Sequence, residues 1–255
     1  MRPLLTKIKP VSGFSRWIYF GLNIVLALAV FVLVRIEFVQ LALAIILLSK
    51  WRMFAVRPRF WLANVRANAV DIMVGLSLLL FMTHSGAPGV QLIWATAYAV
   101  WLVLIKPASN TLMVSGQALI GLLCGLTALF VGWGDGALYW LVLSAGLICY
   151  WTARHFLDSF DEPYARLLSY LWAYFGAGVV WVMAHWLLFY GFLAQPTLLL
   201  VAIGYGLAVL YFLDHNDRLT KLVRSEIMIT TAVIVIAVVV SLAANATGTV
   251  RALLR

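Results

Sequence analysis

Charge is scarce in this chain, and negative charge scarcest: nine Asp and Glu stand against 18 Lys and Arg, with 11% charged residues in all. Hydrophobic residues make up 65% and the mean hydropathy is +1.02, too little polar surface to clothe a domain in water. Lipid is therefore the expected solvent. Long polar segments are missing too. The longest stretch between apolar runs, residues 50 to 66, is too short to fold by itself, so a soluble module would need a separate chain. Cysteine is rare, and Cys124 and Cys149 fall at different depths of their helices, which argues against a disulfide. No P-loop, nucleophile elbow, zinc-protease helix or dinucleotide fingerprint is present. No small-residue cleavage site follows the first apolar run, so it is expected to remain as a helix rather than act as a signal peptide.

Apolar runs of bilayer length are abundant. A hydrocarbon core roughly 30 Å thick takes about 20 residues of helix, and nine segments qualify: 17–34, 36–53, 67–83, 89–105, 109–131, 136–152, 166–190, 195–213 and 226–245. The expected fold is an all-α transmembrane bundle, one membrane-embedded domain with a short tail at 246–255. Gly and Pro clusters such as "HSGAPG", "KPAS" and "GWGDG" punctuate the runs. Trp17, Trp51, Trp133, Trp151, Trp186 and Tyr190 lie near the expected ends, where amphipathic rings prefer the headgroup layer.

With the N-terminus inside, 15 of the 18 basic residues become cytoplasmic and only Arg35, Arg251 and Arg255 external. Lys and Arg resist translocation, so this asymmetry predicts orientation, in a bacterial inner membrane. The least marked turn is "FVLVRIEFVQ". A single tilted crossing over 17–49 would give eight helices and strand Arg35 in lipid, at a cost of at least about 2.5 kcal/mol, so a hairpin with Arg35 and Glu37 in its turn is preferred. The formal charge of +9 is spread over many short segments, which makes nucleic acid an unsuitable partner.

Three intramembrane polar residues stand out: Asp71, Asn110 and Gln117. Asp71 could carry a proton or hold a cation, or be neutralised by Arg66 at the nearby basic loop. Asn110, Gln117, Gly121 and Gly125 recur on one face of the fifth helix. They could line a polar track, but the small-xxx-small pair Gly121 and Gly125 favours close helix packing. His185 near one interface and His84 at a loop have no neighbours in sequence to make a metal site.

The weak catalytic candidates are two Asp-x-x-Asp pairs after the sixth and eighth helices, Asp158 with Asp161 and Asp214 with Asp217, flanked by His155 and His215. Mg²⁺ bridging to a phosphate needs one or two such carboxylates, so a lipid-phosphate enzyme could be built this way. Otherwise no cofactor is expected. The longer Asp motifs of intramembrane prenyltransferases, and the Gly-rich Asp motif of the CDP-alcohol phosphotransferases, are absent, and the residues support no family assignment. The loop 50–66 combines Lys50, Arg52, Arg57, Arg59 and Arg66 with four large aromatics, a composition suited to anionic headgroups. The expected role is thus permease-like or a membrane subunit of a larger assembly. A cytoplasmic-face enzyme acting on a phosphorylated lipid ranks second and a lipid-binding or scaffold subunit third. A partner chain or a second copy is an expected neighbour.

Overall fold

The computed structural model describes residues 13–186, 189–190 and 193–253. Among them are nine α-helices: α1 (Gly13–Arg35), α2 (Val39–Leu48), α3 (Trp61–His84), α4 (Pro88–Val100), α5 (Thr111–Trp133), α6 (Leu138–Asp158), α7 (Ala165–Met183), α8 (Gln195–His215) and α9 (Lys221–Leu253). Seven are long and apolar enough to cross a membrane, so the chain is a multi-pass helical membrane protein. Contacts of Lys50 and Lys106 with Asp71, of Gln117 with Ala108 and His155, and of Phe160 with His215 bring the linkers 49–60, 106–110, 159–164 and 216–220 to one end, called here the basic end.

The second crossing differs from expectation. In place of a helix over 36–53, α2 has ten residues, about 15 Å of rise, half of a hydrocarbon core. Its apolar run simply ends at Leu48, and the chain continues through two 3₁₀ turns, Trp51–Met53 and Pro58–Phe60. The seventh crossing is also shorter than 166–190. It stops at Met183 and passes into a 3₁₀ turn and a two-residue strand pair, Phe189–Tyr190 with Leu193–Ala194. Pro88, at the first helical turn of α4, supplies a fixed φ and lacks only an N–H that would have had no partner. The far end of α4 widens into one π turn, Trp101–Ile105.

Three helices end in the same way, and none uses glycine. Glu37, Asp161 and Asp217 have φ of 64°, 53° and 54°. In each case the next residue's N–H reaches back five positions: Phe38 to Leu33 at 2.9 Å, Glu162 to Leu157 at 3.5 Å, Arg218 to Leu213 at 2.8 Å. This is the Schellman cap, which satisfies carbonyls that the last helical turn would leave bare. Asp tolerates the left-handed conformation better than most side chains. The spacing of the Asp pairs thus has a local cause. The first Asp sits in the last turn and the second is the stop residue, so the two do not share a helical face as the spacing suggested.

Three apolar clusters form the interior, the smallest around Phe156, Leu157 and Phe160 at the basic end. Of the two larger, one joins α1 to α4 through Val30, Ile46, Val74, Met82, Tyr98 and Leu102; the other joins α5 to α8 through Leu122, Leu126, Phe130, Ala145, Val180 and Leu200. Helices α3 and α5 are the seam between these two. Gly121 and Gly125 make that seam close: a Cβ on Gly121 would lie 2.8 Å from Val70 Cγ1, and one on Gly125 2.7 Å from Met73 Sδ. This is the packing expected of a small-residue face. Helix α9 lies outside, touching α8, where Thr231 approaches Gly206; from Lys221 to Ser241 none of its residues is buried.

Candidate functional site

The basic end holds the buried charge. Asp71, nearly midway along α3, is 8% exposed and receives three donors. Lys50, after α2, and Lys106, after the π turn of α4, both reach Oδ2, the latter at 2.7 Å; Trp101 Nε1 donates to Oδ1 at 3.0 Å. The π turn gives the last stretch of α4 an extra residue, which aligns the indole with the carboxylate and releases Lys106 just past it. Arg66, the neutralising partner expected from sequence, is exposed instead. Lys50, expected to snorkel to headgroups, is turned inward and 7% exposed. Burial pulls the Lys50 ammonium down to about 8. At Lys106 burial acts in the same sense, but the carboxylate outweighs it and holds that ammonium above its ordinary value.

Beside this cluster, Gln117 on α5 is buried and ties three elements together. Its Nε2 donates to the carbonyls of Ile105 (2.7 Å) and Ala108 (2.9 Å), and its Oε1 lies 3.0 Å from His155 Nε2 on α6. The Ile105 carbonyl also accepts the Ala108 N–H at 3.2 Å, so Gln117 braces a turn that the backbone has begun to close. Asn110 is the N-cap of α5, accepting from the Met113 N–H at 2.7 Å. This face thus carries a cap, a linker clasp and two packed glycines, the close packing that Gly121 and Gly125 favoured over a polar track. Four buried hydroxyls elsewhere are spent within their own helices: Ser77 on Met73 O, Thr127 on Leu123 O, Thr152 on Ile148 O, Ser169 on Ala165 O; the Tyr98 and Thr197 hydroxyls and Gln195 Oε1 are buried without a hydrogen-bond partner among the described residues.

The two Asp-bearing linkers do meet, through aromatic rings rather than carboxylates. Phe160 packs 5.0 Å from the His215 ring, Tyr211 stacks on His215 at 6.3 Å, and the Tyr211 hydroxyl donates to Glu162. Asp158 is held by Arg154 at 2.9 Å, one turn away. Asp161, Asp214 and Asp217 are exposed. Among the described residues no three His, Cys, Asp or Glu side chains converge to hold a metal. His84 and His185 turn back on their own helices, to Leu80 O and Trp181 O, each at 3.0 Å.

From these rings a slot of about 450 Å³ runs into the bundle between α5, α6, α7 and α8. Ala118, Leu122, Phe156, Trp172, Ile203 and Ala208 line it, with Tyr211 at its basic-end rim. Its mouth opens sideways between α7 and α8, where Leu171 and Leu207 are 57% and 53% exposed. Sequence reasoning missed the slot, because its walls are ordinary apolar residues. It missed the Lys50 and Lys106 pairing because their partner is 21 and 35 residues away.

Of the residues expected at headgroups, Arg57 and Arg59 lie exposed on the linker, with Trp51 and Phe54 beside them and the Arg59 guanidinium 4.6 Å over the Phe60 ring. The Arg52 side chain, Trp186, Tyr190 and the basic residues at 2 to 16 lie outside the described side chains.

Compared with protein-family models, curated proteins and solved structures, the chain matches none. Its function must be argued from its own residues.

Proposed function

We propose that this chain is a lipid-binding protein of the bacterial cytoplasmic membrane, holding one hydrocarbon chain of a membrane lipid in the slot between α5 and α8. The slot itself carries the reading. Left empty, an apolar gap of this size would cost its walls the contacts that a packed interior supplies. Water does not relieve that cost where the walls offer it no partners. Around Thr152 and Tyr211 the polar atoms are already bonded. Hydrocarbon fits, and the mouth faces the layer that supplies it. The basic end, by the excess of Lys and Arg, faces the cytoplasm, so the chain enters from the inner leaflet.

This reading displaces the permease-like one, which needs donors and acceptors free along a solute path; the unpartnered Tyr98 and Thr197 hydroxyls and Gln195 Oε1 do not line the slot, and the hydroxyls of Ser77, Thr127 and Ser169 are bonded to their own helices. It also displaces the lipid-phosphate enzyme, whose Asp pairs serve as helix stops. The membrane-subunit reading keeps one specific support. A second apolar groove of about 630 Å³ runs along α3, α5 and α6 from Val65 and Trp151 to Trp133 and Trp140, the length of a partner's helix.

The test is native mass spectrometry of the protein released from membranes. One phospholipid per chain should persist, and Ala208→Trp or Ala153→Phe, which fill the slot from α8 and α6, should remove it without lowering the melting temperature. Equal lipid retention in both variants would overturn the proposal.

A further inference from the structure

The cluster around Asp71 is not electrically complete. Two ammonium groups touch a single carboxylate oxygen, so they stand side by side and leave one positive charge over. The second carboxylate oxygen is occupied by a neutral indole N–H, which adds no charge. Two unit charges about 4 Å apart repel by roughly fourfold more at a protein surface than in water, and an uncompensated ion near the hydrocarbon is retained only when something pairs with it. Lys50 is enclosed, with its side chain 6% exposed. Lys106 is not: its side chain is 27% exposed, at the point where the apolar span of α4 ends. The surplus charge is therefore presented outward at Lys106.

The geometry points to Lys106 as an anion site, backed by Lys50, that takes a phosphate group carrying one negative charge. Each ammonium has three donors, and a Lys106 that spends one on Asp71 retains others for an acceptor outside the bundle. Phosphate suits the position because the ends of apolar spans lie at the level of headgroup phosphates. The neighbouring linker presents the matching surface, with Arg57, Arg59, Trp51 and Phe54 exposed. The favoured source is an anionic phospholipid, with free inorganic phosphate as the other. The site is separate from the slot between α5 and α8 and does not depend on it.

The experiment reads Lys106 directly. The full chain, in neutral detergent, is treated with an amine-acylating reagent and modification of Lys106 is quantified by peptide mass spectrometry. The additions are phosphatidylglycerol, phosphatidylcholine or inorganic phosphate. Phosphatidylglycerol should slow modification of Lys106, with phosphatidylcholine having little effect. In a parallel titration by native mass spectrometry, Lys106→Met should weaken phosphatidylglycerol binding about fivefold, the worth of one basic residue near the surface. Lys106→Arg should restore it, and Arg218→Gln at the same end should leave it unchanged. Protection by inorganic phosphate but not by phosphatidylglycerol would keep the anion site and make its ligand soluble. Equal modification under all conditions, or equal phosphatidylglycerol affinity in Lys106→Met, would overturn it. If Lys106→Met fails to fold, the labelling of the unaltered chain decides alone.

Discussion

Adding one methyl group to α5 at two positions should move stability in opposite directions. A glycine in a helix interior costs about 1 kcal/mol relative to alanine. At Gly116 a new Cβ meets nothing within 4 Å, so Gly116→Ala should gain most of that. At Gly121 the same Cβ would lie 2.8 Å from Val70 Cγ1 and 3.2 Å from Met73 Cε. Val70 is β-branched and cannot rotate away inside α3, so the two helices must separate. Overpacking of this kind costs about 1–3 kcal/mol. Set against the propensity gain, Gly121→Ala should be neutral to about 2 kcal/mol less stable, and its gap from Gly116→Ala should be about 1–3 kcal/mol. Gly121→Leu, which drives a larger side chain through the same contact, should lower the folded yield. Gly125→Ala should fall between, because its nearest neighbour is the flexible thioether of Met73. Reversible unfolding in mixed micelles, followed by circular dichroism, gives the comparison. If Gly121→Ala stabilises as much as Gly116→Ala, this face of α5 meets lipid and the α3–α5 seam is misplaced.

Other perturbations probe the caps, the clasp and the sidedness. Glu37→Gly should stabilise by about 1 kcal/mol, because a left-handed backbone suits glycine, and Asp217→Gly by less, since Asp already tolerates it; thermal unfolding compares them. Gln117→Leu strips the bonds from Ile105 O, Ala108 O and His155 and should cost about 2 kcal/mol or more, read as a lower melting temperature. Asp71→Asn leaves the buried Lys50 ammonium, with the part-exposed Lys106 beside it, without a counter-charge and should cost about 3–5 kcal/mol, in the same assay. Introduced cysteines at positions 57 and 86 should label from outside only at 86, placing the basic end in the cytoplasm.

Much of this architecture is written in local sequence. Apolar runs with Gly and Pro between them mark the helices, and Gly121 with Gly125 marks a close-packing face on α5, because helix length and close approach are each set by a few adjacent residues. The short α2 was harder to see: its apolar run ends at Leu48, but Trp51 and Met53 follow closely, and the partner that Lys50 turns to meet, Asp71, is 21 residues away. The Asp pairs show the opposite failure. Their spacing looks chemical, yet it records where helices stop, a feature visible only in φ. The lysine cluster and the slot depend on which helices become neighbours, and no local pattern encodes that.

The central claim is that a lipid chain occupies the slot between α5 and α8, and a phospholipid with a photoactivatable diazirine on its acyl chain tests it in intact membranes. After irradiation and peptide mapping, adducts should concentrate on slot residues such as Leu171, Trp172, Ile203 and Leu207 and fall away in Ala208→Trp. Adducts spread instead over exposed positions of α9 such as Ile229, Val233 and Ile236, with no excess at the slot, would contradict the account.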